Sequence, residues 1–259
     1  EFATGNKPIT KITGNAEHVT LLDETDLLLI APCSANTIGK IVNGIADSTV
    51  SLFALTYLGT KPIIVAPAMS LTMLNNPVVS ENIKKLEELN VFVVNPKIEE
   101  GKAKLADNET ILAHVIRFLN NRFKGKRVLV VGGSTEEPID DFRVITNRSS
   151  AKTSVELAKA LFFFGANVDL YLARSEVLPP NYINVKKYRT VEDLIEKIDE
   201  FLDYDLIIVP GALSDFSVKK FNGKLESGRS YEMKLEPLPK AIEELRKKYR
   251  NDRIVFKAE

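Results

Sequence analysis

RVLVVGGSTEEPIDDFRVITNRSSAK, residues 127–152, is the stretch from which the fold of this chain can be read. Its apolar, β-branched run Val128-Leu129-Val130-Val131 is short enough for a buried strand. Gly132 and Gly133 follow at once, where a strand must turn sharply or let another group approach its backbone. After two acidic pairs, Thr146-Asn147-Arg148-Ser149-Ser150 supplies helix-capping residues, and the segment from Lys152 to Ala158 reads as a helix. A strand, a glycine turn and a helix start bearing hydroxyls and a lysine predict an anion site. The spacing matches neither G-x-G-x-x-G nor G-x-x-x-x-G-K-[ST].

Working outward, DLLLIAP (26–32), KPIIVAP (61–67) and DLIIVP (205–210) are further buried strands that end at a proline. Weaker strands are expected at 91–94, 167–172, 184–188 and 253–257. Helices are expected at 38–42, 82–89, 109–119, 154–164, 191–202 and 240–249. Residues 217–232, rich in Gly, Lys and Ser, read as a mobile loop or a hairpin. Strands and helices alternate, which predicts an α/β protein with mostly parallel sheets covered on both faces. Ligands in such sheets sit at the carboxyl ends of the strands.

With 259 residues there is room for two domains. Lys+Arg and Asp+Glu both total 35, so no basic field argues for nucleic acid and no acidic excess for disorder. A lone cysteine, Cys33, excludes an internal disulfide framework and fits a reducing, cytoplasmic setting. No apolar stretch approaches the roughly 18 residues of a membrane helix, and no basic-then-apolar leader opens the chain.

TEEPIDDFRVITNRSSAK resembles the signature T-R-E-P-[IL]-D-x-[VP]-R-x-I-[ST]-N-x-S-S-G-K of phosphopantothenate–cysteine ligases. EHVTL, APCSANTIGKIVNGIAD and APAMSLTM resemble the flavin-dependent phosphopantothenoylcysteine decarboxylases often fused ahead of them. The resemblance is therefore to the bifunctional enzymes of coenzyme A biosynthesis. It implies two Rossmann-like three-layer domains: a flavodoxin-like flavin unit at 1–120, a linker at 121–126 and a ligase unit at 127–259. Against that family the chain is expected to be truncated at both ends. No Gly-Ser-Ile-Ala-type loop precedes Glu1, and family members continue past Glu259 with further lysines.

For the ligase half the resemblance implies two steps. The carboxylate of 4′-phosphopantothenate attacks CTP to give an acyl-cytidylate and pyrophosphate, and the cysteine amine then displaces CMP. Asn147 is the implied binder of the acyl-cytidylate, although its type and place also suit a helix cap. Asp215 is implied at the nucleotide and its Mg2+ (or Mn2+), and Lys224 at the triphosphate from a loop. Gly132, Gly133, Ser149, Ser150, Lys152, Gly211 and Ala212 complete the nucleotide set, with Leu238, Pro239 and Phe256 framing the cytidine. The chain departs from the family at Ala151, usually glycine, and at Gly211-Ala212, usually Ala-Ala.

For the decarboxylase half the implied cofactor is FMN, an electron sink for thiol oxidation and loss of carbon dioxide. His18 matches the active-site histidine. Pro32, Ser34, Ala35 and Asn36 match the flavin-contacting segment, with Pro67, Met69 and Ser70 from the next strand end. Ser70 stands where the family has asparagine, and 96–106 lacks the flap cysteine, leaving Lys102 or Lys104 as alternative acids. Trimeric flavin units and dimeric ligase units are implied, with small-molecule substrates and neither nucleic acid nor membrane as partner. Two rival readings stay open: a ligase with a flavin-like unit kept for assembly, and a non-enzymatic flavin-binding regulator. A nicotinamide dehydrogenase fails on the missing dinucleotide fingerprint.

Overall fold

The computed structural model describes residues 1–201 and 203–249 and the backbone of the strand Val255–Lys257. Two compact units, Glu1–Leu119 and Asn120–Glu259, make up the chain.

In the first unit the strands Leu28–Cys33, Ile63–Pro67 and Phe92–Val93 form a parallel sheet with the 63–67 strand in the middle. Successive side chains of a strand point to opposite faces. Ile63 and Val65 accordingly join a core with Ile38, Ile41 and Leu86, while Ile64 and Ala66 join another with Val94 and Ile111. Burial on both faces is why IIVAP is continuously apolar and does not alternate. The helices Ala35–Val42, Thr49–Tyr57, Pro77–Glu88 and Asn108–Leu119 supply those cores. A small antiparallel sheet joins Met69–Ser70, Lys102–Lys104 and Lys97–Glu99.

The second unit is a five-stranded parallel sheet in the order Asn184–Lys187, Asn167–Leu172, Arg127–Gly132, Leu206–Val209, Val255–Lys257. The chain winds outward one way from the 127–132 strand, then returns to its other side at 206–209. That reversal is the switch point where doubly wound sheets bind ligands, beyond the carboxyl ends of the two strands. The 127–132 strand is buried from Val128 onward, with Leu129 and Val131 packed against Tyr171, Leu194, Phe201 and Leu245. At about 1.5–3 kcal/mol for each such side chain, this burial dominates the stability of the unit.

Several expectations need adjustment. The expected 154–164 helix begins at Lys152 and ends at Phe163. The expected 191–202 helix is α only over Val191–Glu196 and tightens to a 3₁₀ turn at Ile198–Phe201. Residues 217–232 belong to a loop closed at its base by antiparallel pairing of Phe216–Ser217 with Glu236–Pro237. The 121–126 stretch is hydrogen-bonded into the second unit, where Phe123 N–H donates to the Phe164 carbonyl at 2.8 Å. The helices Glu17–Glu24 and Thr49–Tyr57 were not among the sequence expectations.

Candidate functional site

A cavity of about 430 Å³ opens at the switch point of the second unit. Its walls are the Val209–Asp215 strand end, Thr153, Val191 and the start of the helix Ala241–Lys248 with Pro239, Lys240, Glu243 and Arg246. A volume in this range suits a small organic ligand.

Glycines shape the floor. A Cβ on Gly132 would lie 2.2 Å from the Cβ of Ser154, so this glycine lets the helix Lys152–Phe163 press against the strand end. Gly133 has φ +85°, and a Cβ there would meet the Arg174 carbonyl oxygen at 2.7 Å. A left-handed backbone with that close approach admits only glycine. The two sides of the switch point are then zipped together. Thr135 N–H donates to the Ala212 carbonyl at 3.3 Å, and Ser214 N–H donates to the buried Thr135 hydroxyl at 2.9 Å.

Asn147 reaches this floor: its side-chain amide donates to the carbonyls of Ala212 and Leu213 at 3.3 and 3.4 Å. It does not cap the following helix. Ala151 holds that position with φ 65° and no side-chain cap. The Ser149 and Ser150 hydroxyls accept, at 3.4 Å each, from the Ala151 and Lys152 N–H groups. Gly211, Ala212, Asp215 and Pro239 line the cavity, while Leu238 packs on the core behind it and donates its N–H to the Asp215 carbonyl at 2.9 Å. The Phe256 side chain lies outside the described residues.

Lys224 is not part of the cavity wall. Its ammonium lies 5.5 Å from the Phe142 ring centroid, on the turn that joins the hairpin strands Glu136–Pro138 and Val144–Thr146. Side-chain acceptors explain why. Gly223 N–H donates to Asp141 and Leu225 N–H to Asp140, each at 3.0 Å, so two consecutive carboxylates grip the residues either side of Lys224. The Asp140 side chain is fully buried and also accepts from Phe142 N–H, Arg143 N–H and the Arg143 guanidinium. Burial alone would raise its pKa; the hydrogen bonds from Leu225, Phe142 and Arg143 outweigh that and pull it down to about 2. A depressed carboxylate stabilises above its unfolded pKa of about 3.9, and the contribution is lost as pH falls through the folded value. Hydrogen-exchange protection at Leu225, taken against the intrinsic amide rate at each pH, is therefore expected to hold near pH 4 and to fall as pH approaches about 2. Asp140→Asn should release Leu225 at neutral pH while the sheet amides stay protected; equal protection of Leu225 in that variant would refute its grip by Asp140.

Among the described residues no group of three or more His, Cys, Asp or Glu could hold a metal ion. Asp215 at the strand end and Glu243 on the facing helix are the carboxylates of the cavity wall among the described residues; a single carboxylate such as Asp215 suits an ion carried in by phosphates, since Mg2+ is commonly held by one or two carboxylates plus substrate.

In the first unit, register pairs Cys33 with Pro67, and Ala68 N–H donates to the Cys33 carbonyl at 3.1 Å. This brings Pro32, Ser34, Ala35 and Asn36 beside Pro67, Met69 and Ser70. Ser34 caps the helix Ala35–Val42 through Thr37 N–H, and Ser70 caps Leu71–Leu74 through Met73 N–H. Ser70 pairs in register with Lys102, so the 97–104 hairpin crosses this strand end. Lys104 is ion-paired with Glu100 and Glu99, which raise its pKa. A cavity of about 370 Å³ runs along residues 28–32 and includes Pro32, Thr37, Val50 and Phe53. Its wall carries two hydroxyls, from Thr37 and Thr49, and of the seven residues expected to contact flavin it includes Pro32 but not Ser34, Ala35, Asn36, Pro67, Met69 or Ser70. His18 lies on the helix Glu17–Glu24 with a buried Nδ1 that has no hydrogen-bond partner, and it does not line that cavity.

Sequence reasoning missed Thr153, Lys240, Glu243 and Arg246 on the ligand wall and the Asp140–Asp141 grip. Charged residues on an amphipathic helix read as a solvent face. The signal that could have found three of them was their place just after Leu238-Pro239.

A profile described as Flavoprotein matches residues 1–120, and one described as DNA/pantothenate metabolism flavoprotein C-terminal domain matches residues 123–259. The chain is 44% identical over 256 residues to the coenzyme A biosynthesis bifunctional protein CoaBC of Thermococcus kodakarensis, covering 95% of this chain and 63% of that protein. It is 43% identical over 264 residues to the protein of the same description from Methanocaldococcus jannaschii, covering 100% of this chain and 65% of that one. Among solved structures, the C-terminal domain of a CoaBC protein matches with TM-score 0.44 and 23% identity over 52% of this chain and 65% of that one. The chain thus spans a little under two thirds of the length of these curated relatives. No helix among the described residues is long and apolar enough to cross a membrane.

Proposed function

Because this chain belongs to the DNA/pantothenate metabolism flavoprotein family, we propose that its second unit joins 4′-phosphopantothenate to cysteine at the expense of CTP. In the same proposal its first unit is an FMN-dependent decarboxylase of the product. The observation that carries the ligase reading is the switch-point cavity, which gathers Gly211, Ala212, Asp215 and Pro239 on one wall with Asn147 beside it.

The chemistry follows from those groups. Glycine at 132, 133 and 211 lets the strand ends and the helix start close tightly on one another, and the first turn of the Lys152–Phe163 helix presents N–H groups and a positive dipole end to a phosphate. Asp215 holds the divalent ion that accompanies the triphosphate. The pantothenate carboxylate then attacks the α-phosphorus, the bond to the β-phosphate oxygen breaks, and pyrophosphate leaves. The cysteine amine next attacks the acyl carbon and CMP departs with the bonding pair. A neutral Asn147 amide donates to the acyl oxygen as charge develops there without repelling either anion. A role for Lys224 requires the loop to leave the 139–143 turn, so it enters only as a movable charge.

In the first unit Pro32, Ser34, Ala35 and Asn36 would hold the flavin ring edge, with Pro67, Met69 and Ser70 beside them. The flavin supplies a reversible two-electron sink. His18, buried at Nδ1 with no hydrogen-bond partner among the described residues, would be the histidine of that site.

The test is to incubate the chain with 4′-phosphopantothenate, cysteine, Mg2+ and each nucleoside triphosphate in turn. Pyrophosphate release that needs both CTP and phosphopantothenate is the expected result; none with any triphosphate would overturn the ligase reading. A purified yellow protein whose flavin is bleached by the ligated product is expected for the decarboxylase. A protein that binds flavin and ligates nothing would support the regulatory reading instead.

A further inference from the structure

Ser134 and Thr135 follow the glycine turn and are both fully buried, although polar. Buried hydroxyls are hydrogen-bonded as a rule, and their partners show what each one holds. Ser134 donates its hydroxyl to the Ser149 carbonyl at 3.1 Å and exchanges backbone bonds with Arg174. Thr135 serves the other side of the switch point. Its hydroxyl accepts from the Ser214 N–H at 2.9 Å and donates to the Ser214 hydroxyl at 3.0 Å. Its carbonyl accepts from the hydroxyl of Thr146, the residue before Asn147, at 2.7 Å. Its N–H and the Asn147 side-chain amide share one acceptor, the Ala212 carbonyl, each at 3.3 Å.

The Leu213 carbonyl and the Ser214 N–H belong to a single peptide unit, which is planar and rigid. Asn147 donates to the carbonyl end of that plane at 3.4 Å, and the Thr135 hydroxyl accepts from the N–H end. The plane is pinned at both ends, so a tilt at Ser214 would carry the Leu213 oxygen off the Asn147 amide. Distances of 3.3 and 3.4 Å to two neighbouring carbonyls suit one proton shared between both, a three-centre bond. The amide nitrogen of asparagine carries two protons, which leaves the other to point at a ligand.

We propose that Thr135 is a positioning residue for Asn147: through the 213–214 peptide plane it fixes the direction of the free amide proton. This rests on the ligase reading of the cavity given above, in which that proton meets the acyl oxygen. Thr135 has no surface to offer a substrate, so its effect travels through the peptide it holds. Removing its hydroxyl strips the Ser214 N–H of its acceptor and lets the plane tilt. The aim of the amide then degrades without being abolished. A loss of about tenfold is expected, short of the roughly hundredfold that a misplacement of about 1 Å costs.

The experiment measures pyrophosphate release by the 259-residue chain with CTP, 4′-phosphopantothenate, cysteine and Mg2+. It compares the wild type with Thr135→Val, Thr135→Ser, Asn147→Ala and the double variant of Thr135→Val with Asn147→Ala. Thr135→Val keeps the shape of the side chain and removes its hydrogen bonds, and its kcat should fall about tenfold. Thr135→Ser, which keeps the oxygen, should stay close to wild type. In the Asn147→Ala background Thr135→Val should cost nothing further, because the amide it aims is gone. A merely structural loosening would slow both backgrounds alike. Circular dichroism checks the fold of each variant, and Thr135→Ala, which removes the same oxygen with less bulk, replaces Thr135→Val in the cycle if the latter does not fold. Wild-type turnover without the hydroxyl, or an equal loss in both backgrounds, would overturn the positioning role and leave the ligase reading standing. A wild type that ligates nothing would overturn the ligase reading and this inference with it.

Discussion

Gly132→Ala is expected to unfold the second unit on the order of 10 °C early, a loss of about 3 kcal/mol. The added methyl would lie 2.2 Å from Ser154 Cβ and 2.3 Å from its hydroxyl oxygen, well inside van der Waals contact. The backbone at Gly132 has an ordinary φ, so sterics and not conformation carry the penalty. Ser154 is itself buried, on a helix that packs on two strands, and cannot retreat. The steric cause makes a rescue available. Gly132→Ala combined with Ser154→Gly removes the blocking atoms and should recover most of the loss, leaving the roughly 1 kcal/mol that glycine costs inside a helix. Thermal unfolding followed by circular dichroism reads the wild type and both variants. If the double variant is no more stable than Gly132→Ala alone, the packing explanation is wrong.

Asn147→Ala should cut ligation by about a hundredfold to a thousandfold, the usual consequence of deleting one donor aimed at a developing oxyanion. Stability should shift by under about 0.5 kcal/mol, because the side chain is exposed and its two bonds run to carbonyls that water can serve. That separation makes the result diagnostic: a large kinetic loss with an unchanged melting temperature places the amide in the chemistry. Turnover within a few fold of wild type would remove Asn147 from the mechanism.

The deeply buried strands were legible because a strand covered on both faces must be apolar at every position, and IIVAP, RVLVVG and LIIV are nearly so. LLIAPC reads the same way, yet its Leu29, Ala31 and Pro32 are exposed, which corrects the expectation of a buried strand there. The glycine turn was legible for a similar reason, since few arrangements other than close approach call for Gly132-Gly133 after such a strand. Other elements left no such trace. The helix Glu17–Glu24 starts from Ala16 in a left-handed conformation with no side-chain cap, so nothing in the sequence announces it. The helix Thr49–Tyr57 is rich in β-branched and aromatic residues, and its capping box closes with Ser51 where Glu or Gln is the usual signal. Lys224 was placed by motif, while its position is set by Asp140 and Asp141, more than eighty residues earlier. Grips between side chain and distant backbone follow no periodicity. Glu243 and Arg246 were hidden for another reason: a charge facing a cavity and a charge facing solvent are spelled alike.

The strand order of the second unit also dictates when its ligand site comes into being. One rim of the cleft belongs to the 127–132 strand and the other to a segment that arrives only after the chain has built two further strands on the far side. The entropy lost in bringing those distant stretches together grows only logarithmically with the detour, so the finished domain is little weakened by it. Its rate is another matter, because pairings remote in sequence slow the search. During synthesis, a nascent chain that has emerged as far as Leu172 already owns the glycine turn and the helix start, yet has nothing opposite them. Nucleotide capture should therefore switch on abruptly with the docking of 206–215, making a bound ligand a reporter of the last long-range step in folding.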